Sequence, residues 1–229
     1  MALFGVVCGL KSEADVVRRV IKRTSIPEEH FSVAVTGADA DRAEKMALEF
    51  LKGGRKALLS IGVSGGLDPS LKPGDVLFAR TVGVGQKLIL SPGHNLLPQR
   101  LARPIRGADA IIQTPADKAE LYERTGAVAV DMESGGVATA SERFGTPFLA
   151  IRAIADPAER ALPPPAMDAV AADGATKVFS TLMKTIVRPW YFPALLKLGE
   201  ESKIALSSLE TALPEILQEL VALELESAT

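Results

Sequence analysis

Cysteine, histidine and aromatic side chains are scarce in this sequence, and the scarcity excludes several kinds of site. The single cysteine, Cys8, excludes an internal disulfide, which fits a reducing compartment. It lies in an apolar run, where a small buried core residue is the expected role. The two histidines are far apart and form no zinc-binding constellation with one cysteine. We therefore expect neither a disulfide nor a metal centre.

Long apolar runs and an excess of one charge are also lacking. No apolar stretch reaches the roughly 18 residues that span a bilayer, and no basic segment precedes the first apolar run. The 26 basic and 28 acidic residues leave a net charge of -2, which provides no electrostatic basis for binding nucleic acid. We expect a soluble, cytoplasmic protein with no nucleic-acid partner. Peripheral contact with a membrane stays open.

Short apolar runs alternate with stretches of helical periodicity in the first part of the chain. Strands are predicted at 3–8, 30–36 and 56–61. A helix with Ser12 as its N-cap follows the first strand, and a second helix lies between Gly37 and Gly53. This alternation is typical of βαβ units on a mostly parallel sheet. The 229 residues, 47% of them hydrophobic, suffice for one large domain.

The segment GVSGGLDPSLKPGD, residues 62–75, is rich in glycine and proline, which predicts a loop at a strand's end. Glycines there let the backbone approach a ligand and turn its amides outward, as an anion site requires. Candidate anion-binding groups are Ser64 and Gly65, together with Arg42 near the start of the second helix. The alternative for Arg42 is a solvated position on that helix. A strand broken by glycines is predicted at 76–84.

The stretch GAVAVDMESGGVATASERFGTPFLAIRAIADP, residues 126–157, places Asp131, Glu133 and Asp156 at the ends of two apolar strands. The predicted elements are strands at 127–130 and 148–155 and a helix at 134–143 that ends at Gly145. Ligands of open α/β sheets bind outside the carboxyl ends of the strands, and acids there are costly to bury without a partner. A structural interpretation is that Glu133 favours the helix N-terminus and Asp156 caps the next segment.

Beyond Asp156 the sequence is proline-dense and then helical. ERALPPPAMD, residues 159–168, predicts a loop of the kind that often gates a pocket. Helices are predicted at 166–186, 195–213 and 215–225, the last two divided by Pro214. The aromatic run 190–192 either packs the C-terminal helix on the body or forms an exposed apolar patch for an oligomer or a lipid-like group.

Three motifs in this order carry a family resemblance: SGGLDPSLKPGD at 64–75, VAVDMES at 128–134 and IRAIAD at 151–156. Over most of residues 2–186 the chain resembles the purine nucleoside phosphorylase and methylthioadenosine/S-adenosylhomocysteine nucleosidase superfamily. The resemblance implies a single-domain, three-layer α/β fold with a central mixed, largely parallel twisted sheet flanked by helices. It implies a phosphorylase/nucleosidase domain at 1–190 and a C-terminal helical extension at 191–229 packed on it.

Several site residues follow from this resemblance. Met132 and Glu133 match the ribose-binding pair, in which the glutamate accepts hydrogen bonds from the sugar hydroxyls and the methionine packs on the sugar. Asp156 matches the general acid that donates a proton toward N7 of the leaving purine. Glu13 is the candidate for the acid that orients attacking water in the hydrolytic members, although its spacing from Gly9 differs by one residue from their pattern.

The base-binding region departs from the family's usual residues. Ile111 and Ile112 fall where the family presents an apolar, often aromatic, floor to the base. Ala155 stands where a serine commonly precedes the catalytic aspartate, so one hydrogen bond to the base is missing or supplied otherwise. An acid at the base and a carboxylate at the sugar suit a reaction that builds negative charge on the base and positive charge on the ribose.

The segments GLKSEA, TPADKAELYERTGAVAVDMES and RPWYFPALLKLG look most like the hopanoid-associated members, which implies removal of adenine from adenosylhopane. The alternatives are a methylthioadenosine/S-adenosylhomocysteine nucleosidase, a small purine nucleoside phosphorylase, and a nucleoside-binding protein without catalysis. No cofactor is expected, and inorganic phosphate is a co-substrate if the reaction is phosphorolysis rather than hydrolysis. Members of the family commonly complete each other's pockets, so a homo-oligomer is expected.

Overall fold

A mixed sheet forms the centre of the computed structural model, which describes residues 3–92, 103–164, 174 and 189–226. Within these residues nine strands pair into one sheet. The strands are β1 (Phe4–Cys8), β2 (Phe31–Val35), β3 (Ala57–Gly66), β4 (Val76–Ala79), β5 (Thr81–Val84), β6 (Lys87–Leu90), β7 (Ile105–Gly107), β8 (Ala129–Asp131) and β9 (Phe148–Asp156). The α-helices are α1 (Lys11–Arg23), α2 (Ala40–Lys52), α3 (Pro115–Thr125), α4 (Ser134–Phe144) and α5 (Phe192–Glu226).

The sheet is mixed and mostly parallel, as predicted. Its order is β2-β1-β3-β8-β7-β5-β6, and β9 pairs with both β3 and β4. The pairings of β1 with β2 and β3, of β3 with β9, and of β7 with β5 and β8 are parallel. The pairings β3–β8, β4–β9 and β5–β6 are antiparallel. Strand β3 thus pairs with β1, β8 and β9. Side chains from several elements therefore meet at the end of β3.

Helices cover both faces of the sheet, because neighbouring strand residues point to opposite sides. Val6 packs in a core cluster with α1 and α5, whereas Val7 packs in a second cluster with α2 and α4. All nine residues of β9 are buried. The result is the three-layer arrangement expected for this class of sequence.

Two predicted boundaries near the site are wrong. Helix α1 begins at Lys11 with Leu10 in the N-cap position, not after Ser12, because the Glu13 side chain accepts hydrogen bonds from the backbone amides that precede the helix. Strand β3 continues through Gly66, although residues 62–66 were predicted to be a loop. Glycine is tolerated in this strand because carboxylates approach its backbone closely, Glu13 at Gly62 and Asp156 at Gly65.

The strand predicted at 76–84 is two strands, β4 and β5, which are separated at Arg80 rather than at the glycines. Gly83 is an interior residue of β5 and pairs with Leu88 and with Arg106. The helix predicted at 166–186 lies outside the described residues.

Helix α5 runs continuously through Pro214, where the sequence predicted a division into two helices. A proline inside a helix costs about 3 kcal/mol. Leu213, Ile216 and Leu217 are fully buried on the two sides of it, and each contributes about 1.5–3 kcal/mol by leaving water. Packing in the core shared with α1 therefore outweighs the local preference to break. None of the described helices is long and apolar enough to cross a membrane.

Close packing of α2 on α4 depends on Gly136, and its replacement should destabilise the protein. A Cβ at this position would overlap the Ala40 carbonyl and lie 2.6 Å from the Glu44 amide nitrogen. We expect Gly136→Ala to lower the free energy of unfolding by about 1–3 kcal/mol. Gly199→Ala in α5 is the matched control, since nothing lies within 4 Å of its Cβ position, and it should raise stability by about 0.5–1 kcal/mol. Equal effects in urea unfolding would contradict this account.

Candidate active site

Carboxylates lie against three glycines, two in the second half of β3 and one directly after β1. A Cβ at Gly62 would lie 2.6 Å from a Glu13 carboxylate oxygen, and one at Gly65 would lie 3.0 Å from Asp156 Oδ2. A Cβ at Gly9 would overlap the Glu133 carboxylate. A larger residue at any of the three would clash with an acid. Gly62 and Gly65, which the sequence placed in a loop, therefore make room for carboxylates beside a strand.

Glu13 is held in place by backbone amides. Its Oε2 accepts hydrogen bonds from Gly9 N at 2.9 Å and Leu10 N at 2.8 Å, and its Oε1 accepts one from Val63 N at 2.8 Å. Burial raises the pKa of Glu13 above its ordinary value, and these bonds and Arg152 only partly oppose that effect. A carboxylate fixed in this way is oriented before any ligand arrives.

Asp131 performs the structural work that the sequence left open to Glu133. Its Oδ1 accepts hydrogen bonds from Glu133 N at 2.8 Å and from Ser134 N at 2.7 Å, so Asp131 satisfies the amides that open α4. Its Oδ2 lies 3.0 Å from Arg152 Nε. Burial alone would raise the pKa of Asp131, but Arg152 and the bonds from Ser134 outweigh it and the pKa is lowered. Asp131 therefore stays ionised.

The Glu133 side chain makes no capping bond and lies against Gly9. It lies beside a cation, Arg152, whose Nη2 is 3.6 Å from Glu133 Oε2. Burial raises the pKa of Glu133 to about 8, with further contributions from Glu13 and Asp131, while Arg152 opposes the rise. A buried carboxyl without a capping role is costly to retain for stability alone.

Arg152 is the cation shared by this group, and no role for it was predicted from the sequence. It is 1% exposed, in the middle of β9, and its Nη2 donates to Ser60 Oγ at 2.6 Å in addition to its acid contacts. The sequence does contain an indication of this role, since an arginine interrupts the apolar run of FLAIRAIAD. A charged residue inside a buried strand indicates buried partners of opposite charge.

Asp156 lies on the other flank of β3. Gly65 pairs with Val130 of β8 on one side and with Asp156 of β9 on the other. Neighbouring strands are about 4.8 Å apart, so the backbones of Val130 and Asp156 are separated by about 10 Å. Burial raises the pKa of Asp156, and the nearby Lys118 opposes the rise.

Lys118 of α3 is the second site residue that was not predicted from the sequence. Its Nζ lies 2.6 Å from Asp156 Oδ2, and the residue is fully buried. The helix that carries it, PADKAELYERT, is mostly polar, so nothing in its pattern distinguishes Lys118 from the surface residues around it. Only the packing of α3 against the end of β9 reveals the pair.

The remaining predicted residues are placed as follows. The Ser64 hydroxyl is buried and has no hydrogen-bond partner within the described part of the chain. Arg42 donates to the Gly37 carbonyl at 2.9 Å and lies 3.4 Å from Asp39, so its charge is already engaged. Met132, Ile111 and Ile112 are partly buried. Ile112 packs against the apolar cluster of Leu67, Leu121, Ala127 and Val130.

Two surface hollows lie apart from the acids. One, of about 300 Å³, is bordered by α1 and β2, and the other, of about 450 Å³, is bordered by β5, β6 and the end of α3. Neither shares a lining residue with the acid cluster. Among the residues described, no group of three His, Cys, Asp or Glu side chains is arranged to bind a metal.

Comparison with known proteins agrees with this architecture. Residues 103–188 match the family described as "Phosphorylase superfamily". Solved structures match almost the whole chain. The 5'-methylthioadenosine/S-adenosylhomocysteine nucleosidase of Neisseria meningitidis, in complex with methylthio-immucillin-A, is 17% identical with a TM-score of 0.66, covering 96% of this chain and 99% of that one.

Two structures from Helicobacter pylori have the same fold. Its 5'-methylthioadenosine/S-adenosyl homocysteine nucleosidase is 17% identical with a TM-score of 0.66, over 95% of this chain and 98% of that one. Its futalosine hydrolase is 15% identical with a TM-score of 0.64, over 96% and 97%. The fold is that of the nucleoside phosphorylases and nucleosidases. At these identities the likeness concerns the fold, and the chemistry must be argued from the site.

Glu133 should make stability depend on pH. Because its pKa is raised in the folded protein, the folded state holds the proton more tightly than the unfolded state does. This contribution is present below the ordinary glutamate pKa and is lost as pH rises to about 8. We expect Glu133→Gln to reduce the fall in free energy of unfolding between about pH 4.5 and 8, where one group contributes up to about 1.4 kcal/mol per pH unit.

Urea unfolding across that pH range measures the effect, with Glu142→Gln on the exposed side of α4 as the control. Glu13 and Asp156 have raised pKa values too, so part of the fall should remain in the Glu133 variant. The same pH dependence in wild type and variant would show that Glu133 does not hold its proton in the folded protein.

Proposed function

We propose that this protein cleaves the N-glycosidic bond of a purine nucleoside and releases adenine by hydrolysis. The proposal rests on the placement of buried acids on both sides of β3. Glu13 and Glu133 lie on one side, and Asp156 lies on the other. Scission of this bond leaves positive charge on the ribose and negative charge on the base, and so needs different groups at its two ends.

The sugar side of the proposed site consists of Glu133 and Met132. Glu133 would accept hydrogen bonds from the ribose hydroxyls, and the partly buried Met132 would pack on the sugar. The carboxyl is free for this role because Asp131 caps α4 in its place. Arg152 then limits the cost of ionising Glu133 when a ligand binds.

The base side consists of Asp156 and apolar residues. Asp156 would donate a proton toward N7, and burial favours the protonated carboxyl that this role requires. Ile111 and Ile112 would supply the apolar floor for the base, which is supported by the packing of Ile112 on the neighbouring apolar cluster. The unpartnered hydroxyl of Ser64 is a further group that a ligand could satisfy.

Hydrolysis is favoured over phosphorolysis by two observations. Glu13 is oriented by three backbone amides beside the sugar-binding acid, as a residue that positions attacking water should be. Arg42, the cation proposed for a phosphate site, is engaged by Gly37 and Asp39. A phosphate site at Ser64 and Gly65 would therefore lack the contribution of Arg42, and the nearby buried acids would disfavour an anion.

For the substrate we propose an adenine nucleoside with a bulky apolar 5′ group, adenosylhopane in the first place. Three apolar side chains at the start of α5 and just before it support this, with Trp190 67%, Phe192 46% and Leu196 54% exposed. The same helix holds the segment after Asp156 through the Glu201–Arg160 ion pair at 2.7 Å. The second candidate is methylthioadenosine or S-adenosylhomocysteine, which the names of structural neighbours favour.

A substrate panel tests the assignment. Purified protein is incubated with adenosine, methylthioadenosine, S-adenosylhomocysteine and adenosylhopane, and free adenine is measured with and without phosphate. We expect adenine release that does not depend on phosphate and a kcat/KM that is highest for adenosylhopane. If adenine is released only when phosphate is present, the reaction is phosphorolysis and not hydrolysis. Binding without release of adenine from any member would support a nucleoside-binding protein instead.

Removal of the acid at 156 should abolish most turnover. Asparagine keeps an oxygen that can accept the Lys118 hydrogen bond, but its amide is not an acid and cannot transfer a proton to the base. We expect Asp156→Asn to lower kcat for adenine release about a hundredfold or more. Asp15→Asn on the exposed face of α1 is the control and should retain wild-type activity. Near-normal activity in a folded Asp156→Asn protein would remove Asp156 from the mechanism.

A further inference from the structure

The Lys118 ammonium group has three acceptors in the interior of the protein. Nζ donates to Asp156 Oδ2 at 2.6 Å, to the Pro157 carbonyl at 2.9 Å and to the Arg160 carbonyl at 3.1 Å. These bonds use all three of its N–H donors. The side chain is 0% exposed, so no bulk water solvates the charge. Asp156 is its ion-pair partner.

The position is an unfavourable one for a cation. Lys118 lies in the first turn of α3, whose Thr114 N-cap and Pro115 mark the helix start. The helix dipole disfavours positive charge there, and removal of a charge from water adds a cost that one ion pair often fails to recover. Two of the three acceptors are neutral carbonyls, for which a neutral donor would suffice. The full charge of Lys118 therefore has a use only toward the third acceptor, the Asp156 carboxyl.

Among the described residues, the other charged groups that act on Asp156 are Arg160 and Glu201, and these two pair with each other. Arg160 follows β9, and its guanidinium makes two hydrogen bonds with Glu201 of α5, at 3.1 and 2.7 Å. Glu201 is buried, and its charge is balanced by that of Arg160. Within the described part of the chain, the cation in contact with the Asp156 carboxyl is therefore Lys118.

We propose that Lys118 is a positioning residue that supplies the proton which Asp156 delivers to the base. This inference rests on the proposed function. A lysine–aspartate pair holds one transferable proton whether it is written as ammonium and carboxylate or as amine and carboxylic acid. The pair therefore remains able to give a proton at a pH at which an isolated carboxyl has already lost its own.

The lysine–aspartate pair begins as ammonium and carboxylate and gives up one proton in each turnover. The Lys118 ammonium passes that proton to the Asp156 carboxylate, which makes an amine and a carboxylic acid. As the C1′–N9 bond breaks, its electron pair goes to the purine and N7 takes the proton from Asp156, which leaves an amine and a carboxylate. Water forms the new bond to C1′ and gives a proton to the Glu13 carboxylate and then to solvent. The pair takes one proton from solvent before the next turnover.

Two substitutions separate proton supply from electrostatic support. Lys118→Met removes the charge and leaves Asp156 as an isolated buried carboxyl. Lys118→Arg keeps the positive charge but cannot release a proton in a protein. Activity is followed as the pH profile of kcat/KM for adenine release between about pH 5 and 10, a range that spans the ordinary carboxyl and lysine pKa values. Arg124→Met on the exposed face of α3 is the matched control.

With Lys118→Met, we expect the alkaline limb of the profile to move to lower pH by about one unit or more, because a lone carboxyl loses its proton earlier than the pair does. Activity should be near wild type at the acidic end and lower by about tenfold to a hundredfold at pH 8, the scale of a lost general acid. With Lys118→Arg, activity should be low at every pH, since the guanidinium keeps Asp156 ionised. At acidic pH, kcat/KM should thus be highest for wild type, similar or slightly lower for Lys118→Met, and lowest for Lys118→Arg.

Three results would overturn the inference. The first is a Lys118→Met profile with the shape of the wild type, merely scaled down, as a structural role would produce. The second is recovery of wild-type activity by Lys118→Arg, which would show that charge alone matters. The third needs no variant: a wild-type alkaline limb at a pH typical of an isolated carboxyl, below about pH 6.

Failure of this inference is distinguishable from failure of the proposed function. If wild type releases adenine and Asp156→Asn does not, but the Lys118 profiles are unchanged in shape, only the role of Lys118 is wrong. If wild type releases adenine from no member of the panel, the proposed function is wrong and the role of Lys118 falls with it. Thermal unfolding of each variant shows whether the fold is kept.

Discussion

The site depends on the ion pairs that the buried guanidinium of Arg152 makes with neighbouring acids. Around it the protein places Asp131 at 3.0 Å and Glu133 at 3.6 Å, and Glu13 is close enough to attract it electrostatically. Desolvation of several carboxylates in one place would be prohibitive without a cation. Burial raises the pKa of Glu13 and of Glu133, and Arg152 opposes the rise only in part. At Asp131, its closest acid, Arg152 helps to lower the pKa in spite of burial.

This division gives each acid a different role. Asp131, the best paired, is ionised and fixes the start of α4. Glu13 is oriented by amides at the start of α1, where the helix dipole also favours a carboxylate. Glu133 is left with the weakest pairing, and such a group has the most to gain from a ligand that donates hydrogen bonds. Environment, rather than residue type, distinguishes acids that the sequence shows as equivalent.

The opposite flank of β3 follows the same logic with a different cation. Asp156 is paired with Lys118, which in turn ties the segment after β9 to α3 through two backbone carbonyls. That segment is also held by α5 through Arg160 and Glu201. The base end of the proposed site therefore depends on elements far apart in the chain, including the C-terminal helix that continues through Pro214 because its apolar face is buried on both sides of the proline.

Much of this protein was determined by local pattern in the sequence. Apolar runs and helical periodicity were enough for the α/β class, the largely parallel sheet, the helix ending at Gly145 and the position of three acids at strand ends, because burial of apolar faces depends on periodicity alone. The tertiary structure decided which residues meet. The glycines after Ile61 continue a strand, Arg152 joins acids from three elements, and Lys118 pairs with Asp156, because these outcomes depend on contacts between segments that no local period encodes.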